Sequence, residues 1–171
     1  MNYKFCPKCG ASLIRVMEHE YSRLQCSSCK FVFYQNSKPT ASALIIDEDK
    51  VLLGRRNIEP SKGMWDIPGG FLEPGEHPED GMRREIMEET GLQVKIVDML
   101  GFIMDDYGED KQPTLNICYI VKKASETERP GDDLEELKWF KISELPEEIA
   151  FKNGHEMLEK LREYLSGPNK L

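Results

Sequence analysis

Glu85, Glu88 and Glu89 stand at i, i+3 and i+4 in a stretch with helical spacing, so their three carboxylates share one helix face. Like charges stacked this way repel and weaken a helix. Residues 70–92 around them hold seven acidic and two basic side chains, a local charge of −5. A solvated helix face is one reading of such a run. The other is a ligand set for a hard divalent cation, Mg²⁺ or Mn²⁺, which prefers oxygen donors and turns the repulsion into coordination. A cation held there neutralises a bound polyanion and lowers the pKa of a coordinated water, the chemistry of metal-assisted hydrolysis.

The second set of reactive residues is sulfur. Cys6-Pro7-Lys8-Cys9 and Cys26-Ser27-Ser28-Cys29 are two Cys-x-x-Cys pairs separated by 16 residues, the spacing of a structural zinc site. Each pair makes a tight knuckle that turns two sulfurs to one side, and Gly10 supplies a permissive backbone after the first. Two disulfides or redox thiols are the alternatives. Disulfides suit an oxidising compartment, and a single redox pair needs no second copy. With all four ligands drawn from the protein, the site is closed and structural. Cys118 lies in an apolar segment and reads as a buried thiol.

The elements that must carry these groups form a mixed α/β pattern. Residues 41–46 and 51–53 read as strands joined by the turn Asp47-Glu48-Asp49-Lys50. Residues 94–97, 115–121 and 137–140 read as further strands. Helical spacing covers about 78–90, closing on Gly91, and about 155–165, ending near Gly167-Pro168. Residues 128–133, rich in Pro, Gly and Asp, read as a surface loop. The length, 171 residues, fits one domain with a small extra module. Hydrophobic residues at 39% and charged residues at 32% make a globular rather than disordered balance. No apolar run approaches the roughly 20 residues of a membrane span. The first six residues carry no apolar secretory stretch, so a cytoplasmic protein is expected.

Net charge is −8, divided between a head of residues 1–40 at +4 and a body of residues 41–171 at −12. Four thiolates and one zinc ion reduce the head to about +2. That footprint argues against a general nucleic-acid or membrane binder.

The spacing Gly70, Glu76 and Arg84-Glu85-Ile86-Met87-Glu88-Glu89-Thr90-Gly91-Leu92 resembles the box of the Nudix hydrolase family at every defined position. Val51 to Arg56 is similar to the family's early strand, Trp65 to Gly70 to its entry into the box, and Leu137 to Phe140 to its late strand. The resemblance covers about residues 40–150. It implies a Nudix fold, an α+β, α-β-α sandwich with a mixed sheet between helices, over residues 37–171. A zinc ribbon occupies residues 1–36 ahead of it. It also implies that Gly70, Glu85, Glu88 and Glu89 bind Mg²⁺ or Mn²⁺, with one glutamate, or one on a later loop, as the base. Arg84 orients the glutamates, with Glu76 as its structural partner, and Gly91 ends the helix. Glu135 and Glu136, or Glu126 and Glu128, are candidates for a further metal ligand, with surface charge the alternative for each. Arg55, Arg56 and Lys62 could supply positive charge at the rim. Trp65 and Tyr107 are candidate substrate contacts, against core packing for the first and an ordinary loop aromatic for the second.

A zinc ribbon before a Nudix domain resembles the NADH pyrophosphatase branch. That branch carries a Ser-Gln-Pro-Trp-Pro-Phe-Pro array, and here residues 99–107 contain neither Trp nor Pro. Tyr34-Gln35-Asn36 with Pro39, Arg56 to Pro60, Gly63 to Trp65 and Phe71 to Glu76 are more similar to a second zinc-ribbon group, the FAD or ADP-ribose pyrophosphatases. The expected reaction is hydrolysis of the pyrophosphate of a nucleoside diphosphate linked to another moiety, with ADP-ribose or FAD favoured. NADH, NAD-capped RNA or a dinucleoside polyphosphate are the alternative substrates. Readings of another class are a nucleic-acid-binding ribbon or a catalytically silent ligand sensor. The closed ribbon, with Phe31, Phe33 and Tyr34 at its exit, could also shape the pocket or a homodimer interface.

Overall fold

The computed structural model describes residues 3–167. Pro168, part of the expected stop to the last helix, lies outside them. The chain opens with β1 (Leu13–Glu18), β2 (Tyr21–Cys26) and β3 (Val32–Phe33), a three-stranded antiparallel ribbon in the order β1-β2-β3. These strands were not anticipated, because the cysteines dominate their sequence signal. The Cys6 knuckle precedes β1, and Cys26 at the end of β2 opens the second knuckle. The metal pairs thus stand at one end of the hairpin.

The body follows as β4 (Lys38–Asp47), β5 (Lys50–Arg56), β6 (Trp65–Asp66), β7 (Gly69–Phe71), α1 (Pro78–Thr90), β8 (Val94–Tyr107), β9 (Gln112–Lys123), β10 (Leu134–Lys141) and α2 (Lys152–Ser166). Its sheet runs β10-β5-β4-β9-β8, with β6 added to β5 and β7 to β4. The β4–β9 pair is parallel and the others are antiparallel, so the sheet is mixed as expected. β8 is much longer than the alternating residues 94–97 indicated, because bulges after Ile96 and Met99 restore its pairing with β9.

Alternation along β4 divides the core. Leu44 and Ile46 face one side, where Ile120, Met157, Leu158 and Leu161 complete a cluster under α2. Ala41, Ala43 and Ile45 face the other, where Met82 and Ile86 pack from α1 and Leu92 from just beyond its end. Each helix covers one face of the sheet, which is the layered arrangement an apolar-striped helix requires.

β4 and β5 pair only beside their turn, at Ile46–Val51 and Asp47–Lys50. Beyond it, β7 takes the edge of β4 through Thr40–Phe71, Ala41–Gly70 and Ser42–Gly69, while β6 takes β5. The parting of β4 and β5 brings the 65–71 segment into the sheet and opens a cleft at that level.

Candidate active site

α1 begins with Pro78 after His77, whose Nδ1 accepts the Glu79 N–H at 3.3 Å, and Glu79 and Asp80 lie in its first turn near the positive dipole end. Gly91 ends it in the left-handed conformation, with its N–H bonded to Met87 O. Burial of Met82 and Ile86 fixes the rotation of the helix, and Glu85 and Glu89 are then turned toward β7. The last turn holds Glu88 and Glu89 and no basic residue, so two carboxylates sit at the negative end of the dipole.

The backbone of β7 closes on these carboxylates. Gly69 N–H donates to Glu89 Oε2 at 2.8 Å. A Cβ on Gly70 would lie 2.5 Å from Glu85 Cδ, so any side chain there would displace that carboxylate. Burial, then the nearby Asp66, Glu85 and Asp133 charges, pushes Glu89 up to about 8 against the pull of the Gly69 N–H. Burial also raises Glu85 above the usual carboxylate range, although Arg84 opposes it.

Arg84 uses all five of its N–H donors here. Nε and Nη2 clasp Glu76 at 2.9 and 3.0 Å, Nη2 also reaches Phe71 O at 3.1 Å, and Nη1 joins Glu85 at 2.8 Å to Glu88 at 3.1 Å. The hydrogen bonds from Arg84 and the Glu73 N–H hold Glu76 at about 2, well below the usual range. Glu76 thereby anchors a guanidinium that sets two of the three glutamates on one face. The side chains fit a divalent cation. They comprise hard oxygen donors, two of them largely buried, at a helix end where positive charge is favoured, beside the bare backbone of Gly69 and Gly70.

These groups form one pole of a cleft of about 360 Å³. Phe71, Tyr107 and Phe151 build the other. Tyr107 meets Phe71 edge-on at 5.3 Å and Phe151 at 5.7 Å. Phe151 is held at the start of α2 because Asp105 on β8 accepts the Asn153 N–H at 2.8 Å, supplying the cap that Phe151 cannot. Arg56 lies in the wall, 8% exposed, bound to Asp66 at 2.9 Å and stacked over Phe151 at 4.8 Å. Burial raises Asp66 and Arg56 draws it down.

The other sequence candidates fall elsewhere. Arg55 lies outside the cleft, bonded to Gly63 O at 3.0 Å and paired with Glu135 at 3.4 Å and Glu136 at 3.7 Å. Trp65 is also outside it, packed edge-on against Phe140 at 4.8 Å at the margin of the α2 core. Lys62 does not line it. Glu135 and Glu136 pair with Arg55, Glu128 accepts from Trp139 Nε1 at 2.8 Å, and Glu126 is absent from the cleft wall.

Asp132 and Asp133 line the cleft instead. Their loop, expected at the open surface, docks on the end of α1 through Arg129 N–H to Thr90 O at 2.9 Å and Gly131 N–H to Glu89 O at 3.0 Å. These bonds satisfy carbonyls that a helix end leaves without partners. Burial and Asp132 raise Asp133, while Arg56 lowers it.

The four thiols converge in the ribbon. Their sulfurs all lie within 4.8 Å of one another, with Cys6–Cys29 at 3.8 Å and Cys9–Cys26 at 3.4 Å. A tetrahedron of 2.3 Å Zn–S bonds requires edges of about 3.8 Å, so the set fits zinc. All five cysteines are free of disulfides, and Cys118 is buried, which pushes its thiol up to about 12.

The chain belongs to the NUDIX family. The NUDIX domain matches residues 36–161 and the Nudix N-terminal ribbon residues 4–35. An ADP-ribose pyrophosphatase of Methanocaldococcus jannaschii is 31% identical over 140 residues, which are 82% of this chain and 80% of that protein. NAD-capped RNA hydrolases of Vibrio atlanticus and of human are 27% and 32% identical, covering 84% and 81% of this chain. The matched region spans 51% of the first and 31% of the second, so the chain corresponds to about half and about a third of their lengths. A NUDIX hydrolase of Nitrosomonas europaea superposes with a TM-score of 0.81 at 28% identity, over 99% of this chain and 97% of that one. Among the described residues no helix is long and apolar enough to cross a membrane.

Proposed function

We propose that this chain hydrolyses the pyrophosphate bond of a nucleoside diphosphate joined to another moiety, with ADP-ribose or FAD as substrate. The products are a nucleoside monophosphate and a phosphorylated remainder. The observation that carries this reading is the two-pole cleft, with buried glutamates over the Gly69–Gly70 backbone at one end and three aromatic rings at the other. Glu85, Glu88, Glu89 and the Gly70 carbonyl are the groups that would hold Mg²⁺ or Mn²⁺. When bound, the cation neutralises phosphate charge and lowers the pKa of a coordinated water. Arg84, anchored by Glu76, keeps Glu85 and Glu88 in place. Glu89, which burial pushes up to about 8, is suited to take a proton from water. Tyr107 and Phe71 offer ring faces to a base. The four cysteines hold a structural zinc.

Cytoplasmic location and self-association belong to the same proposal. β8 is one of the two edge strands of the sheet, with Val97, Met99, Phe102 and Met104 exposed along it. Light scattering reads the oligomer. A second reading, cleavage of NADH or an NAD cap on RNA, is favoured by the similarity to the NAD-capped RNA hydrolases. The test is hydrolysis by the full chain with Mg²⁺ and Mn²⁺ of ADP-ribose, FAD, NADH, NAD-capped RNA and a dinucleoside polyphosphate. Turnover of ADP-ribose or FAD at least tenfold above the others is expected. Preference for NADH or capped RNA supports the second reading, and no turnover of any overturns both.

A further inference from the structure

Polar side chains break the apolar pattern of the two central strands at one level. On the α2 side, β4 runs Thr40, Ser42, Leu44, Ile46 and β9 runs Thr114, Asn116, Cys118, Ile120. Thr40 is the register partner of Asn116 across β4–β9 and of Phe71 across β4–β7. Phe71, Thr40 and Asn116 thus form one row across three neighbouring strands, and all three line the cleft. Cross-strand partners present their side chains on the same face.

Two members of this row have unused hydrogen-bonding capacity. Asn116 is 6% exposed, and its Oδ1 accepts the Ser42 hydroxyl at 2.8 Å. Its Nδ2 has no partner among the described residues. Thr40 is 9% exposed, and its Oγ1 is likewise unpartnered among them. An enclosed hydroxyl left unsatisfied, as that of Thr40 is among the described residues, is costly, and native interiors contain few such groups. Simple packing would place apolar residues here, as the same strands do at Leu44, Ile46, Cys118 and Ile120.

We infer that Asn116 and Thr40 read the nucleobase, and that the base is adenine, so the adenosine half of the substrate occupies the aromatic pole. This rests on the reading of the cleft as a nucleotide pyrophosphate site. The Asn116 amide keeps an N–H donor and a free lone pair on Oδ1. Those are the two groups an amide uses on the N7 and N6-amino edge of adenine. The Thr40 hydroxyl is enclosed beside Asn116 in the same row, and the edge-on pair of Phe71 and Tyr107 supplies an aromatic surface next to it. Gly69, whose N–H holds Glu89, is two residues from Phe71 along β7, about 7 Å. That spacing leaves room for a ribose between the base and the glutamates.

Isothermal titration of the full chain with AMP and with inosine monophosphate, both in Mg²⁺, tests the inference. The two ligands differ by one exocyclic group, an amino donor in AMP and a carbonyl acceptor in the other. Wild type is expected to bind AMP about tenfold more tightly, the discrimination of one good amide–base pair. Asn116→Leu is expected to bring AMP to the level of inosine monophosphate with an unchanged circular dichroism spectrum. Thr40→Val, of nearly the same shape, narrows the gap and carries the test if Asn116→Leu does not fold. Equal affinity for both ligands in wild type, or an equal loss of both in the variants, overturns the inference while leaving the pyrophosphatase reading standing. Absence of AMP binding together with absence of ADP-ribose turnover overturns both.

Discussion

Glu89→Gln should stabilise the magnesium-free protein at high pH while removing its response to magnesium. The wild-type carboxyl lies at about 8 in the fold, against an ordinary value of 4.5. The raised value means that the fold favours the neutral acid. Its contribution is fully present below about pH 4.5 and is lost as pH rises through about 8. Above that, the folded chain carries a charge that burial and three neighbouring carboxylates oppose. The interval corresponds to roughly 5 kcal/mol at most. Even half of that moves the melting temperature of a chain this size by about 5–10 °C. Glutamine keeps an acceptor for the Gly69 N–H and removes the charge. The assay is scanning calorimetry at pH 5 and pH 9 in magnesium-free buffer, without a chelator so that zinc is undisturbed, and then with added Mg²⁺. The variant should melt close to wild type at pH 5 and well above it at pH 9. Added Mg²⁺ should raise wild type alone. An advantage that is the same at both pH values, or an equal magnesium response in both proteins, refutes the assignment of Glu89 as a buried, cation-compensated carboxylate.

Gly70→Ala puts a methyl group onto the Glu85 carboxylate, so kcat should fall by about a hundredfold while Tm drops by only a few degrees, measured by steady-state kinetics and calorimetry. A kcat within threefold of wild type would show that Glu85 need not stand against β7. The purified chain should carry one zinc per molecule by elemental analysis. Cys29→Ser should lower that content and loosen the ribbon, seen as proteolysis within residues 3–36, while the sheet over residues 38–141 keeps its far-ultraviolet spectrum.

The parts legible in the sequence were those with local periodicity. Glu85, Glu88 and Glu89 announce their shared face by spacing alone, and the two Cys-x-x-Cys pairs announce a tetrahedron. The apolar-rich runs at residues 41–46 and 115–121 mark the two strands that prove to be central. What escaped depends on tertiary relations. Asp132 and Asp133 looked like surface because Pro, Gly and Asp compose a loop. The loop turns inward because its N–H groups satisfy carbonyls of a helix 40 residues earlier in the chain. Arg55 and Trp65 stand near the box in the sequence, but Arg55 turns to Glu135 and Glu136, and Trp65, paired with Arg55 across β5 and β6, packs on Phe140. Phe151 lay in a segment with no periodic signal, and its position depends on a cap lent by Asp105. One missed signal was present. Thr40, Ser42, Thr114 and Asn116 are polar at the α2-facing positions of strands that are otherwise apolar there.

The two-sidedness of β4 has an evolutionary consequence. Its odd residues, Ala41, Ala43 and Ile45, pack beneath the helix that bears the glutamates, and its even residues, Thr40 and Ser42, border the aromatic pole. One strand therefore serves two separately heritable tasks. On the reading of the cleft given above, a substitution at Thr40 is expected to change the preferred base while leaving the seat of α1 in place. Odd positions have no such latitude, because a change there moves α1.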